Sequence, residues 1–298
     1  MDFLNKFDKQ QVQKITLIVI AALTILALVL LLVIIIATVN PANPFGIADG
    51  FSDLKEITIT EQDLKTGSLV LADEKHRYDV SKETLDIVPL SDYRAEKLAE
   101  EKLENIKTNF QYVTYGKLGL AEIAVAQAHN MLVDAKDAVD QSSIYVDAGY
   151  TVQLPEGHSK IVEYQTGLLI HLADHDSEPE QGTEIVLSKE YRKWLDENAA
   201  KYGFIESFED SYRYVGVAHA TAISGSKDFE TLEDYIKYLK ENTSVDKTLE
   251  IEVDGDTYKS YYVSCKAGDT IKVPDVDADE ITISGTNEGG VIVTVKVK

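Results

Sequence analysis

Residues 15–39 run for 25 positions without a charged side chain. At about 1.5 Å of rise per residue, a helix of that length crosses a hydrocarbon core of roughly 30 Å with some tilt. The run is longer than the roughly 7–15 apolar residues of a cleaved signal peptide, so an uncleaved anchor is expected. Lys6, Lys9 and Lys14 precede it, whereas Asp49, Asp53 and Glu56 follow, with Lys55 the first cation beyond. By the positive-inside rule, residues 1–14 form a cytoplasmic tail and the rest lies outside, in a single-pass plasma-membrane protein that meets the bilayer through 15–39. Cys265 is the sole cysteine, so no disulfide can form within the chain and stability must come from a buried core. A net charge of −22 over 298 residues argues against nucleic acid and anionic lipid surfaces as partners.

Beyond the anchor the hydrophobic period changes several times. Residues 40–50, with two prolines and two glycines, read as the irregular start of an extracytoplasmic linker over 40–66, with a short strand at 56–60. Residues 68–73 read as the first strand of the globular part. A thin helical stripe of Leu98, Leu103 and Ile106 runs through 91–110, with Asp92 able to cap it. A strong stripe runs through 118–139: Leu120, Ile123, Ala124, Ala128, Met131, Leu132, Ala135 and Val139. Residues 143–146 read as a strand. Residues 188–203 read as a helix capped by Ser188 and stopped by Gly203, with Tyr191, Trp194, Leu195, Ala199 and Tyr202 inward. A last helix covers 231–241. From Thr248 the period becomes two, with a turn at Asp254-Gly255 and strands at 258–263, 270–273, 281–284 and 291–297. The fold class is α+β: an N-terminal transmembrane helix, an α+β domain over 67–244, and a small antiparallel, sandwich-like β domain over 245–298.

Residues 163–172, Glu-Tyr-Gln-Thr-Gly-Leu-Leu-Ile-His-Leu, read as a polar turn, a bend at Gly167 and a buried strand that carries His171. The stretch resembles the metal-binding strand of the VanY-type D-alanyl-D-alanine carboxypeptidases, zinc enzymes that trim the peptidoglycan stem peptide. Their pattern is Ser-x-His-Gln-Thr-Gly-Leu-Ala-Val-Asp-Leu, and Gln165, Thr166, Gly167, Leu168, Ile170 and Leu172 keep its frame. Residues 194–205 are close to the family's Trp-Leu-x-x-Asn-Ala-x-x-Tyr-Gly-Phe-Ile. Tyr212-Arg213-Tyr214-Val215-Gly216, followed by His219-Ala220, resembles its Phe-Arg-Tyr-Val-Gly and His-Ala. A weaker likeness lies at 87–90, and the resemblance as a whole covers about 68–241.

The resemblance implies a His, Asp, His zinc site with a glutamate base and an assisting arginine. Here the three ligand slots hold Tyr164, His171 and Ser211, the base slot holds Phe208, and the arginine slot holds Thr151. A catalytic zinc needs three good donors, an open place for water, and a base beside it. A phenol loses its proton only near pH 10, and a neutral hydroxyl does not replace a guanidinium fork. The expectation is therefore no catalytic residue, no metal ligand and no cofactor. The chain reads as a pseudopeptidase that binds a wall stem peptide or a cell-envelope protein through Gln165, Thr166, His171, Ser211 and Arg213. Two alternatives stay open. One is a working zinc carboxypeptidase with a rebuilt site, drawing on His171 with His175, His158 or Glu209. The other is a structural ectodomain that interacts through its β tail.

Overall fold

The computed structural model describes residues 45–100, 112–114, 118–139, 144–150, 162–174 and 187–297. The expected span at 15–39 lies outside the described residues, as do Thr151, His158 and His175. Among the described residues no helix is long and apolar enough to cross a membrane.

Strands β1 (Phe45–Asp49) and β2 (Leu54–Thr58) come first, then a short helix Lys82–Leu85, β3 (Ile87–Pro89) and the helix Leu90–Glu100. Strands β4 (Tyr112–Thr114) and β5 (Gly119–Ala121) precede the long helix Glu122–Val139. Next come β6 (Ile144–Ala148), a 3-10 turn Val162–Thr166 and β7 (Leu169–Asp174). The helix Lys189–Asn198 tightens into a 3-10 turn, Ala199–Tyr202, and leads to the hairpin β8 (Phe204–Phe208) and β9 (Ser211–Tyr214). Helices Val217–Ser224 and Leu232–Asn242 lead into β10 (Lys247–Val253), β11 (Asp256–Ser264), β12 (Thr270–Pro274), β13 (Ile281–Gly285) and β14 (Gly290–Val297). The fold is α+β with a β-rich C-terminal part.

The central sheet has the order β4-β6-β7-β9-β8, parallel only between β4 and β6. Successive side chains on a strand point to opposite faces. One face sends Ile144, Val146, Ile170, Leu172, Phe204 and Tyr212 into the main core. The helix Glu122–Val139 closes that core with Ala124, Val125, Ala128, Met131, Leu132 and Ala135, all buried. Small residues let the helix approach the sheet, while Met131 and Leu132, fully buried, contribute roughly 1.5–3 kcal/mol each. Ile123 was expected in this stripe but is 53% exposed. The chain at 119–121 is not yet helical: it pairs with β3, and Ala121 N–H donates to Gly167 C=O at 2.7 Å. The predicted cap holds at Ser188, whose Oγ accepts from Tyr191 N–H, whereas Asp92 lies inside the helix Leu90–Glu100; Thr231 Oγ1 caps a further helix by accepting from Asp234 N–H.

The C-terminal sheet has the order β1-β10-β11-β14-β13 and is antiparallel throughout. Asp254 and Gly255 both take positive φ, which a tight hairpin between β10 and β11 requires. One face packs Leu249, Ile251, Tyr262 and Ile292 against Ala220, Ile236 and Leu239 of the two preceding helices. The other packs Tyr261, Val291, Val293 and Val295 against Ile59, Ile271 and Val273 near the ladder of β2 with β12. Coverage of both faces explains why β14 reads as a nearly continuous apolar run.

Two expectations are corrected here. Residues 45–49, read as irregular, form β1 and pair with β10 from Phe45↔Ile251 to Asp49↔Lys247. That ladder is made by backbone groups, which the turn-rich composition does not register. Residues 68–73, read as a strand, form none, although Leu69, Val70, Leu71 and Ala72 are buried. Their backbone bonds go mostly to side chains: Leu69 N–H to Ser284 Oγ, Val70 C=O from Arg213, and Leu71 C=O from Asn287 Nδ2.

Candidate functional site

The second face of the central sheet carries the ligand slots. Antiparallel pairing of β7 with β9 sets His171 directly opposite Ser211, so their Cβ atoms are cross-strand neighbours. The 3-10 turn before β7 brings Tyr164 to the same place. It is fully buried, its hydroxyl is hydrogen-bonded to Ser211, and its ring stands edge-on to Phe208 with centroids 6.4 Å apart. Burial pushes the Tyr164 phenol well above its ordinary value against the opposing effect of its bond to Ser211, and the nearby Asp147 and Glu163 raise it further. It therefore stays a protonated phenol across the physiological range.

His171 is held by a residue that the sequence did not single out. The register of β6 on β7 shifts between Val146 and Ala148, which leaves Asp147 at a bulge. Bulges re-aim side chains, and here Asp147 Oδ1 meets His171 Nδ1 at 2.6 Å. The pair is mostly screened from solvent, at 16% and 22% side-chain exposure. The available signal was the polar residue at an alternate position of a short apolar strand, next to the strand that carries the histidine.

Of the other expected binding residues, Thr166 and Arg213 make structural side-chain bonds and Gln165 makes none among the described residues. Gln165 is exposed at the turn. Thr166 Oγ1 donates to Glu163 C=O at 2.7 Å and accepts from Leu168 N–H at 3.1 Å, which fixes the turn into β7. Arg213 is 1% exposed; its guanidinium donates to Glu163 Oε1 at 2.6 Å and to the carbonyls of Ser68 and Val70 at 3.3 and 2.7 Å. It clamps the strandless segment 68–72 to the sheet. Glu163, also unforeseen, takes a further bond from Ser207 Oγ at 2.9 Å. At the two-residue turn between β8 and β9, Asp210 adopts φ +58 and accepts from Arg192 at 2.7 Å and Leu187 N–H at 3.1 Å. Its Oδ1 is buried without a hydrogen-bond partner among the described residues, and burial lifts its carboxyl above the ordinary range, with Arg192 opposing. Glu209 lies exposed beside Arg192 at 3.2 Å.

The frame residue Gly167 has a steric reason to persist. Its φ is +70, and a Cβ there would sit 2.5 Å from Ile87 Cδ1 and 3.0 Å from Ala121 N. His219 is a core residue: Nδ1 contacts Tyr235 Oη at 2.8 Å and Nε2 contacts Thr294 Oγ1 at 2.9 Å. Burial drives its imidazole down to about 4.

No family model matches the chain. A D-alanyl-D-alanine carboxypeptidase of Enterococcus faecium is 30% identical over 286 residues, which span 86% of this chain and 84% of that protein. The crystal structure of the vancomycin-resistance D,D-dipeptidase VanXYg, in complex with a D-Ala-D-Ala phosphinate analogue, superposes with a TM-score of 0.59 at 18% identity. It covers 83% of this chain and 100% of that one, which shows the common fold.

These likenesses correct one expectation. The altered slots led to a reading without a cofactor, but peptidases of this type are zinc-dependent, so zinc is the cofactor that kinship implies. The slot residues themselves do not fit it: Tyr164 remains protonated, Ser211 is a neutral hydroxyl, and His171 alone is a good donor. Among the described residues no three His, Cys, Asp or Glu side chains group closely enough to hold a metal ion.

Proposed function

The chain belongs to the VanY-type D-alanyl-D-alanine carboxypeptidase family, and from that premise we propose that it is a membrane-anchored, extracytoplasmic member that binds a cell-wall peptide without cleaving it. The anchor is the uncharged run at 15–39. The observation that carries the reading is Phe208 in the base slot, packed edge-on against the buried Tyr164. A phenyl ring cannot take a proton from water, and a hydrolytic water needs such a base within hydrogen-bond reach. What the face retains for recognition is the His171–Asp147 pair, with Gln165 exposed at the turn before β7. The test is titration of the full chain with a peptide ending in D-Ala-D-Ala, followed by recovery of the peptide. Saturable binding, intact peptide and about tenfold weaker binding in His171→Ala support the proposal, a tenfold change being about 1.4 kcal/mol. Zinc bound without turnover is compatible with it; peptide returned shortened is not.

One observation favours a second reading, a working zinc carboxypeptidase with a rebuilt site. A histidine whose Nδ1 is held by a carboxylate at 2.6 Å is oriented as metal-bound histidines commonly are. Release of D-Ala that stops in His171→Ala and on chelation would establish that reading and remove the first.

A further inference from the structure

Away from the slots, a cavity of about 480 Å³ opens between β11, β13, β14 and the start of the helix Val217–Ser224. None of Tyr164, His171, Phe208 or Ser211 lines it. The volume is that of a small-ligand site. Its wall combines two tyrosines, Tyr214 and Tyr258, with the hydroxyls of Ser68 and Thr282 and the carboxylate of Asp279. Among the described residues, none of these five side chains has a hydrogen-bond or ion-pair partner. Burial, and then the neighbouring Tyr258, raise the Tyr214 phenol, which stays a neutral donor. Lys296 also lines the cavity, but Asp256 already holds it at 2.5 Å. An apolar lip is supplied by Ile123, 53% exposed, together with Ile283.

These features narrow the ligand by elimination. Asp279 and Glu280 at the wall, with the lysine neutralised, disfavour an anion. A purely apolar ligand would leave five polar groups without partners, at a cost for each. The wall suits a molecule with several hydroxyls and a flat apolar side. Pyranose rings have that form: their C–H face lies on an aromatic ring, and their hydroxyls both donate to a carboxylate and accept from a phenol. We propose that this cavity is a saccharide-binding site, separate from the slot face and independent of what the slots do.

The test uses the full chain in detergent and two probes, a β-1,4-linked N-acetylglucosamine tetramer and maltotetraose, titrated by calorimetry. Saturable binding of either probe is expected, and it should weaken at least about tenfold in both Tyr258→Ala and Asp279→Asn without a change in thermal midpoint. Preference for the first probe assigns an amino sugar and preference for the second a plain glucan. No heat from either probe at millimolar concentration overturns the proposal, as does binding that neither variant alters. The affinity for a peptide ending in D-Ala-D-Ala should be unchanged in Tyr258→Ala. A parallel loss of peptide binding would contradict a separate saccharide site, whereas its retention lets the two readings fail independently.

Discussion

Tyr164 and Gly167 lie three residues apart in one turn, yet different constraints hold them. Gly167 is fixed by backbone: its φ of +70 and the 2.5 Å approach to Ile87 leave no room for a side chain. Thr166, which ties the turn, and Arg213, which anchors segment 68–72, are held in the same way by bonds to main-chain groups. Tyr164, Ser211 and Phe208 meet a looser demand, since they only have to fill space and pair with one another. The frame of a catalytic centre is thus specified by packing and backbone geometry, and its slots by chemistry.

If that contrast is sound, substitutions in the frame should cost far more stability than substitutions in the slots. Arg213→Ala should have the largest effect. It leaves Glu163 and the buried carbonyl of Val70 without their cation, and should lower the unfolding free energy by about 3–5 kcal/mol in urea titrations of the full chain. A loss below about 1 kcal/mol would break the comparison.

His219 gives the next effect, through pH. Its folded pKa of about 4 lies below the unfolded value near 6.5, so between these values the unfolded chain binds more protons. The stability linked to this group is fully present above about pH 6.5 and falls away as pH drops towards 4, by roughly 3 kcal/mol. Thermal midpoints measured from pH 7 to pH 4 should show that decline, and His219→Gln should lack this component of it.

Gly167→Ala should cost about 2 kcal/mol, from the left-handed backbone penalty of roughly 1–2 kcal/mol together with the contact at Ile87. Tyr164→Phe should cost least, about 1 kcal/mol for the hydrogen bond to Ser211. If those two values were reversed in denaturant titrations, the turn would be held by the slot and not by the frame.

Much of this frame was legible in the sequence because glycine, capping residues and apolar period act locally. The helix faces at 124–135 and 191–195, the turn at Asp254-Gly255 and the strand that carries His171 follow from such local signals. Three things were not legible. The pairing of β1 with β10 joins residues about two hundred positions apart, chiefly through main-chain bonds. The segment 68–72 looks like a strand because it is apolar, but its polar groups are met by Arg213, Ser284 and Asn287 from distant parts of the chain. Asp147 becomes the partner of His171 only through a bulge, an irregularity of register that no residue type announces. Arg213 was placed in the binding groove by its position in the family frame; its burial and its bonds to Glu163 and Val70 make it a clamp.

The central claim is that the slot face recognises and does not hydrolyse. The most direct measurement is the rate of D-alanine release from a peptide ending in D-Ala-D-Ala, with the full chain supplied with excess zinc. The account predicts a rate no greater than that of the peptide with zinc alone. Sustained release that disappears in His171→Ala would contradict it.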